Sequence, residues 1–243
     1  MTTIPPQAAS NTSLSQPVVF YPGTLCDERV FMPCWRDIDI PKRAFVPLQW
    51  AESLEHMLAL SRDRLDYFDE PAHLVGFSMG GYVAALSALE QPQKVASLTL
   101  IGSYPGPFAE QERQARKNII QTIRNKKYQG MSDSRLKQFV SALDNTKVVD
   151  TIKAMETDLG PAVLAAQMGA LSEREDLTTR LGKAKFTIHF LVGEHDKIAP
   201  PSKISALSAN IANSQLKIIA NAGHMLPLEQ PNVLAQYFAE NFS

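Results

Sequence analysis

Short apolar segments alternate with helical patterns along most of this 243-residue chain, and this alternation constrains the fold more than any other feature. Six segments are rich in apolar and β-branched residues and end at turn residues, as buried strands do: 17–23, 43–48, 72–78, 95–103, 186–193 and 216–223. Helical patterns occur at 53–68, 79–91, 201–212 and 232–242. Strands that are joined through helices pair in parallel. We therefore expect an α/β fold, with a mainly parallel sheet of about six strands flanked by helices.

The alternation stops between the fourth and fifth predicted strands, where only helical patterns occur. A helical insertion at such a point is typical of a lid over one edge of a sheet, so we predict a helical cap at 105–182. The α/β core then comprises 17–104 and 183–243. Helices that simply extend the core would produce the same pattern. Residues 1–16 are rich in Pro, Ser, Thr, Gln and Asn, and we expect them to form a disordered tail.

Composition and charge exclude several classes of protein. Apolar residues make up 44% and charged residues 20% of the chain, and the formal net charge is -1, so nothing favours a nucleic acid or an anionic membrane as partner. No window is apolar enough for a membrane span, and the first residues lack the basic and apolar regions of a secretion signal. Cys26 and Cys34 fit neither a disulfide nor a metal-ligand spacing. We therefore expect a cytoplasmic protein with reduced cysteines.

The segment VGFSMGGYVAAL, residues 75–86, places Ser78 between two glycines at the junction of a predicted strand and a predicted helix. It contains the pattern G-x-S-x-G, whose glycines allow a tight, strained turn that raises the serine. The amides at the start of the following helix favour negative charge at the same point. We predict that Ser78 is a catalytic nucleophile; a helix-capping serine beside a packing glycine is the alternative.

A serine nucleophile needs a base, which is normally a histidine oriented by a carboxylate. Of the five histidines, His224 follows the last predicted strand in a turn directly before the final helix, and we predict that it is the base. Asp196 follows the preceding strand and is the predicted orienting acid, with Glu194 as the competing carboxylate. The order serine, acid, histidine along the chain is that of the α/β-hydrolases and differs from that of the two unrelated serine-protease folds.

Four motifs carry a resemblance to the α/β-hydrolase-fold serine hydrolases over nearly the whole chain: VVFYPGTLCDERVF, VGFSMGG, LVGEHDKIAPP and NAGHMLPLEQP. In that family one amide of the oxyanion hole belongs to the residue after the nucleophile, which implies Met79. The other lies just past a His-Gly turn, which here reads Pro-Gly, so the resemblance implies Thr24, with Leu25 as the next candidate. Because little chain precedes the first strand, we expect the sheet to lack the two antiparallel edge strands usual in the family.

The resemblance implies hydrolysis of a small-molecule ester, thioester or lactone through an acyl-enzyme, without a cofactor or a metal. By overall pattern the chain is similar to small capped esterases, including the carrier-protein methyl-ester esterase of biotin synthesis. A menaquinone-pathway synthase, which is a lyase, shares the string G-x-S-M-G-G but carries arginine where this chain has Tyr82. Perhydrolases and carbon–carbon bond hydrolases use the same three residues, and some hormone receptors of the family bind a ligand without turnover.

Two features of the predicted cap concern its ligands. Five basic residues share one face of a helical pattern: Arg113, Arg116, Lys117, Arg124 and Lys127. That face predicts docking of an anionic acyl carrier or of coenzyme A phosphates, although a solvated outer face has the same appearance.

The residues expected to bind the acyl group of the substrate are Leu25, Phe139, Met155, Leu164 and Met168. Packing among the helices explains the cap residues of this set equally well.

Overall fold

The computed structural model describes residues 13–242. It contains one sheet of six strands: β1 (Val18–Tyr21), β2 (Arg43–Phe45), β3 (Ala72–Phe77), β4 (Val95–Ile101), β5 (Thr187–Gly193) and β6 (Ser214–Ile219). The strands lie in the order β2-β1-β3-β4-β5-β6, and every neighbouring pair is parallel. The predicted parallel sheet of about six strands is therefore confirmed. Since all the strands run the same way, the loops that follow them meet at one edge of the sheet.

Helices flank the sheet on both faces. Within the described residues they are α1 (Met32–Trp35), α2 (Leu54–Asp66), α3 (Met79–Glu90), α4 (Glu110–Arg124), α5 (Asp133–Phe139), α6 (Thr146–Ala170), α7 (Thr178–Leu181), α8 (Pro201–Ser208), α9 (Leu226–Glu229) and α10 (Pro231–Asn241). Ser53 caps α2, because its hydroxyl oxygen accepts the His56 amide. Helix α3 follows β3 without a loop, and this junction positions the serine discussed below.

Alternate residues of the central strands face two apolar layers, one on each side of the sheet. Val19 and Leu74 belong to the layer formed with α2, α3 and α8, whereas Phe20 and Val75 belong to the layer formed with α1 and α10. All four side chains are fully buried. The near-continuous apolar strands of the sequence follow from this double coverage, because each side chain meets a packed layer whichever way it points.

Four helices, α4 to α7, lie between β4 and β5, where the sequence predicts a cap. The longest, α6, is interrupted at Gly160, whose φ of 76° belongs to the left-handed region and which precedes Pro161. Beyond this kink, Leu164 and Met168 pack with Leu25, in the loop after β1. The inserted helices thus rest on a loop at the carboxyl edge of the sheet. Their function as a lid stays a prediction.

The beginning of the described chain differs from expectation. Residues 1–12 of the predicted disordered tail lie outside the described residues. Leu14, however, is buried, and its amide donates to the Asp39 carbonyl at 2.9 Å. The chain therefore packs on the core before the expected boundary at residue 16, because one apolar side chain anchors a polar segment.

Cys26 and Cys34 are buried free thiols. No helix within residues 13–242 has the length and apolar character needed to cross a membrane.

Candidate active site

Ser78 lies in a sharp turn between β3 and α3, at the carboxyl edge of the sheet. Its φ of 51° and ψ of −115° are disfavoured for a residue with a side chain, and the surrounding structure holds this strain. A Cβ at Gly76 would overlap the backbone of Gly81, and a Cβ at Gly80 would overlap the carbonyl oxygen of Tyr21. Close backbone approach thus requires both glycines of the pattern, and Ser78 stays partly exposed at the tip of the turn.

His224 connects Ser78 to Asp196 through two hydrogen bonds. Its Nε2 lies 2.9 Å from the Ser78 Oγ, and its Nδ1 lies 2.9 Å from the Asp196 Oδ2. Both His224 and Asp196 are almost fully buried. The second oxygen, Oδ1, accepts the amides of Ile198 and Ala199, each at 2.8 Å. Because a carboxylate only accepts, Nδ1 of the neutral imidazole carries the proton, and Nε2 is left to accept the Ser78 hydroxyl.

The two candidate acids differ in their surroundings. Asp196 is buried and contacts His224. Glu194 is exposed; its Oε2 accepts the Asn221 amide at 3.4 Å and lies 3.8 Å from the Nε2 of His195. Only the first of these carboxylates is therefore placed to orient the imidazole beside Ser78.

Glu229 anchors the loop that carries His224, although the sequence suggests no role for it beyond its place in the motif NAGHMLPLEQP. Its Oε2 accepts the Gly223 amide at 2.8 Å, and its Oε1 accepts the Ser141 amide at 2.6 Å. Ser141 follows α5 of the inserted segment. One carboxylate therefore ties the histidine loop to the inserted helices, which restricts the movement of the imidazole relative to Ser78.

The turn after β1 lies beside Ser78, as the position of Gly23 shows. A Cβ at Gly23 would lie 3.4 Å from the Ser78 Cβ. The next residue, Thr24, is partly exposed, and its amide has no hydrogen-bond partner in the described part of the chain. Met79 is the first residue of α3, so its amide has no acceptor within the helix. The two amides that the resemblance implies for an oxyanion hole, one directly after Gly23 and one directly after Ser78, therefore have no acceptor among the described residues.

Gln167 of α6 holds this turn in place, and no sequence signal identifies it. The side chain is fully buried; its Oε1 accepts the Leu25 amide at 2.9 Å, and its Nε2 donates to the Leu48 carbonyl at 3.3 Å. Leu25 itself has a φ of 51°, which is uncommon for a residue with a side chain. The Leu25 amide is thus already engaged, and Thr24 is left as the available donor of the turn.

A comparison with models of protein families shows which family the chain belongs to. The model of the family described as serine aminopeptidase, S33, matches residues 50–231, well over half of the chain. The chain belongs to this family. The matched region extends from before α2 to the first residue of α10, so it includes Ser78, Asp196 and His224. The S33-family chain has the α/β-hydrolase fold.

Relatives and solved structures are consistent with this assignment. The 2-succinyl-6-hydroxy-2,4-cyclohexadiene-1-carboxylate synthase of Enterobacter sp. (strain 638) is 28% identical over 173 residues, which cover 69% of this chain and 65% of the synthase. The chain therefore spans slightly less than two thirds of that relative. Among solved structures, an esterase from Thermogutta terrifontis has a TM-score of 0.80 at 23% identity, covering 94% of this chain and 90% of the esterase. MenH from S. aureus has a TM-score of 0.75 at 19% identity, covering 96% and 95%.

The residues predicted to bind the acyl group fall into two apolar clusters in the S33-family chain. Leu25, Leu164 and Met168 form one apolar cluster beside the turn after β1. Phe139 lies against the imidazole of His224, with ring centroids 5.6 Å apart. Met155 is 1% exposed and belongs to the core cluster that contains Leu136, against which Phe139 also packs. The fold thus brings the first three together in one cluster and places Phe139 and Met155 in the other, with Phe139 at the histidine.

The predicted basic face is divided in the S33-family chain. Lys117, Arg124 and Lys127 are exposed, and Arg113 forms an ion pair with Glu110. Arg116 does not belong to the exposed face: it is partly buried, and its guanidinium lies 4.1 Å from the centre of the Phe108 ring. The prediction of one continuous basic face is corrected at this position, because a helical pattern alone does not show which edge of the face packs inward. Docking of an acyl carrier stays a prediction.

Two other histidines are buried, but at the opposite end of the sheet. His73 is the second residue of β3, and its Nδ1 lies 2.7 Å from the Ser97 Oγ. His189 of β5 has its Nδ1 2.9 Å from the Tyr237 hydroxyl. Burial, together with the neighbouring His189, lowers the pKa of His73 to about 4. Burial also lowers the pKa of His189. Both imidazoles are therefore neutral near pH 7 and serve packing and local hydrogen bonding.

Proposed function

We propose that this protein is a serine hydrolase that cleaves a carboxylic ester or thioester of a small molecule through an acyl-enzyme. The observation that carries the proposal is the series of hydrogen bonds from Ser78 through His224 to Asp196, built on a strained turn. Membership of the S33 family and the fold shared with an esterase support hydrolytic chemistry.

In the proposed reaction, the His224 Nε2 accepts the Ser78 proton while the Oγ attacks the carbonyl carbon of the substrate. Asp196 stabilises the imidazolium that forms, and the amides of Thr24 and Met79 donate to the oxyanion of the tetrahedral intermediate. Collapse of the intermediate expels the alcohol or thiol, which takes the proton from the imidazolium. Water then attacks the acyl-enzyme by the same steps and releases the acid and the free serine.

Residues 105–182 act as the cap in this proposal. Their helices contact the site at two points: the turn after β1, through Gln167, and the histidine loop, through the Ser141 amide bonded to Glu229. Leu25, Leu164 and Met168 supply an apolar surface for the acyl group beside that turn. Movement of the cap would therefore change both the access to Ser78 and the geometry of the proposed oxyanion hole.

A lyase that uses the same three residues is the second candidate. It is favoured by the similarity to the synthase of Enterobacter, whose match covers 69% of this chain. Tyr82 argues against it, because the synthase pattern has arginine at that position. Tyr82 is fully buried here and donates its hydroxyl proton to the Glu175 carbonyl, which is a packing role.

Two experiments test the proposal. Fluorophosphonate labelling tests whether Ser78 is activated, and ester hydrolysis by the unlabelled protein in H₂¹⁸O separates the two candidates. We expect one adduct per chain, located on Ser78 by peptide mass spectrometry, and we expect nitrophenyl esters of increasing chain length to size the acyl pocket. The carboxylic acid product should contain ¹⁸O. Turnover without ¹⁸O would favour the lyase, and failure of the folded protein to label at Ser78 would contradict both candidates.

Replacing Gln167 with leucine is expected to lower kcat by about 10-fold to 100-fold with little change in KM. The Leu25 amide would lose its acceptor, the turn would shift, and the Thr24 amide would no longer be aligned with the oxyanion, which is bound most tightly in the transition state. Steady-state kinetics well below the melting temperature measure this effect. Gln167→Glu keeps the acceptor for Leu25 and should retain more of kcat; equal losses of kcat in both variants would contradict a positioning role.

A further inference from the structure

Ser103 is a buried polar residue just beyond β4 that contacts the proposed nucleophile, and the proposed reaction gives it no role. It is 3% exposed, and its hydroxyl donates to the main-chain carbonyl oxygen of Ser78 at 2.8 Å. The Gly81 amide donates to the same oxygen at 3.1 Å, but that bond lies within the turn itself. The Ser103 hydroxyl is therefore a donor from outside the turn that holds the Ser78 carbonyl.

The end of β4 holds the strained turn at two points. The Ser78 amide donates to the Ile101 carbonyl at 2.9 Å, and the Ser78 carbonyl accepts the Ser103 hydroxyl. Both main-chain polar groups of Ser78 are thus bonded to one short segment, residues 101–103. The φ of 51° and ψ of −115° of Ser78 are disfavoured, and such angles persist only where neighbouring groups enforce them.

The segment that carries Ser103 is itself fixed beside the other two candidate residues. The Gly102 amide donates to the Leu191 carbonyl of β5 at 2.8 Å, and the φ of Gly102 is 52°, in the left-handed region. A Cβ at Gly102 would lie 3.0 Å from the Asp196 Oδ2 and 3.2 Å from the His224 Nδ1. The segment therefore packs directly on the carboxylate and the imidazole, which gives Ser103 a defined position in the site.

Helix α3 leaves room for the Ser103 side chain at Gly81. A Cβ at Gly81 would lie 2.5 Å from both the Cβ and the Oγ of Ser103, which is closer than non-bonded atoms of this kind approach. A larger residue at position 81 would therefore push the Ser103 hydroxyl away from the Ser78 carbonyl. The close packing of Ser103 against α3 thus depends on a glycine that lies outside the pattern G-x-S-x-G.

The geometry of the peptide bond connects this hydrogen bond to the chemistry. The carbonyl of Ser78 and the amide of Met79 belong to one planar trans peptide, so the C=O and the N–H point in opposite directions. Fixing the direction of the carbonyl therefore fixes the direction of the Met79 N–H. That N–H is one of the two donors proposed for the oxyanion hole, and it has no acceptor within α3.

We propose that Ser103 is a positioning residue that directs the Met79 amide at the oxyanion of the tetrahedral intermediate. This role rests on the proposed function, because it concerns the transition state of the serine reaction. Ser103 acts through the Ser78–Met79 peptide and not by contact with the substrate. Gln167 holds the turn after β1 through the Leu25 amide, so a buried side chain from a distant segment aligns each of the two proposed donors.

Kinetics of Ser103→Ala, which removes one hydroxyl, test the proposal. For a short-chain nitrophenyl ester we expect kcat to fall about 10-fold to 100-fold with little change in KM, because the oxyanion is bound most tightly in the transition state. Ser103→Thr keeps the hydroxyl and should retain more of kcat than Ser103→Ala.

Ser97→Ala is the matched control. Ser97 is a buried serine of the same strand, and its Oγ lies 2.7 Å from the His73 Nδ1, near the opposite end of β4. The control loses one buried hydrogen bond, as Ser103→Ala does, but it should keep kcat. Thermal melts establish that each variant is folded and compare the losses of stability.

Inhibitor binding separates alignment of the oxyanion hole from a general effect on the structure. A trifluoromethyl ketone adds to Ser78 and forms a hemiketal oxyanion, whereas the methyl ketone with the same alkyl group binds mainly as the free ketone. We expect Ser103→Ala to weaken the trifluoromethyl ketone by about 10-fold to 100-fold and to change the affinity for the methyl ketone by less than about twofold. In NMR spectra of the trifluoromethyl ketone adduct, the Met79 amide proton should move downfield, and it should move less in Ser103→Ala.

Three results would overturn the positioning role while an active wild type keeps the proposed function intact. They are unchanged kcat and trifluoromethyl ketone affinity in folded Ser103→Ala, an equal loss of kcat in Ser97→Ala, or no downfield shift of the Met79 amide proton in the wild-type adduct. The last needs no variant. A wild type that binds the trifluoromethyl ketone but hydrolyses no ester would instead contradict the proposed function, and the ketone affinities of the serine variants would still test Ser103.

Discussion

Replacing Ser78 with alanine is expected to lower kcat/KM for nitrophenyl ester hydrolysis by about 10⁴-fold to 10⁶-fold. The Oγ is the only atom in the described site that stands at the tip of the strained turn with its proton shared with the His224 Nε2, at 2.9 Å. Without it the acyl-enzyme cannot form, and only the amides of Thr24 and Met79 remain to stabilise a direct attack by water. Steady-state rates with a short-chain nitrophenyl ester, together with the loss of fluorophosphonate labelling, measure the effect.

Ser87→Ala is the matched control for this substitution. Ser87 is a buried serine of α3, and its hydroxyl has no hydrogen-bond partner among the described residues. The control should keep both activity and labelling. Retention of more than a tenth of the activity in Ser78→Ala would show that another group carries the reaction.

Replacing Asp196 with asparagine is expected to lower kcat by about 10⁴-fold while the protein stays folded. The two oxygens of Asp196 have different partners: Oδ1 accepts the amides of Ile198 and Ala199, and Oδ2 faces the His224 Nδ1. The oxygen of the new side chain is expected to keep the two backbone donors, so its NH₂ group would face Nδ1. Two donors cannot pair, and the imidazole proton would move to Nε2. The imidazole would then donate to Ser78 and could not accept its proton.

Rate measurements and histidine ¹⁵N NMR spectra check this prediction, with the spectra reporting which nitrogen carries the proton. Glu194→Gln is the matched control, because Glu194 is an exposed carboxylate in the same turn that does not contact His224. It should change kcat by less than about twofold. A large loss in the Glu194 variant with a small loss in the Asp196 variant would reverse the assignment of the acid.

Much of the fold could be predicted from the sequence because its signals are local. The strands β3, β4 and β5 are near-continuous apolar runs, as expected for a parallel sheet covered on both faces. The turn at Ser78 was also predictable, since a serine flanked by glycines between a strand and a helix is typical of a nucleophile on a tight turn. The end of the predicted disordered tail was harder to predict from the sequence, because the burial of Leu14 depends on a contact with residue 39 and not on composition.

The residues around the proposed nucleophile depended on contacts between distant parts of the chain. Nothing near Gln167 in the sequence indicates that its side chain reaches the Leu25 amide, 142 positions away. The inward orientation of Arg116 is similar: its helical face is basic, but only packing against Phe108 shows that this arginine is at the buried edge. Such contacts depend on long-range packing, because a periodic sequence pattern shows which residues share a helical face but not which element that face packs against.

The sequence by itself determined the six-stranded α/β architecture, the strained turn at Ser78 and the order in which the three candidate residues follow one another. These depend on apolar runs, on glycines and on turn residues, whose effects act within a few positions of the chain. Only the tertiary structure decided that Asp196 and not Glu194 meets His224, that the Leu25 amide is engaged by Gln167, and that Glu229 connects the histidine loop to the inserted segment. Each of these depends on a distance of a few ångströms between segments far apart in sequence, and such distances exist only once the sheet register and the packing of the helices are established.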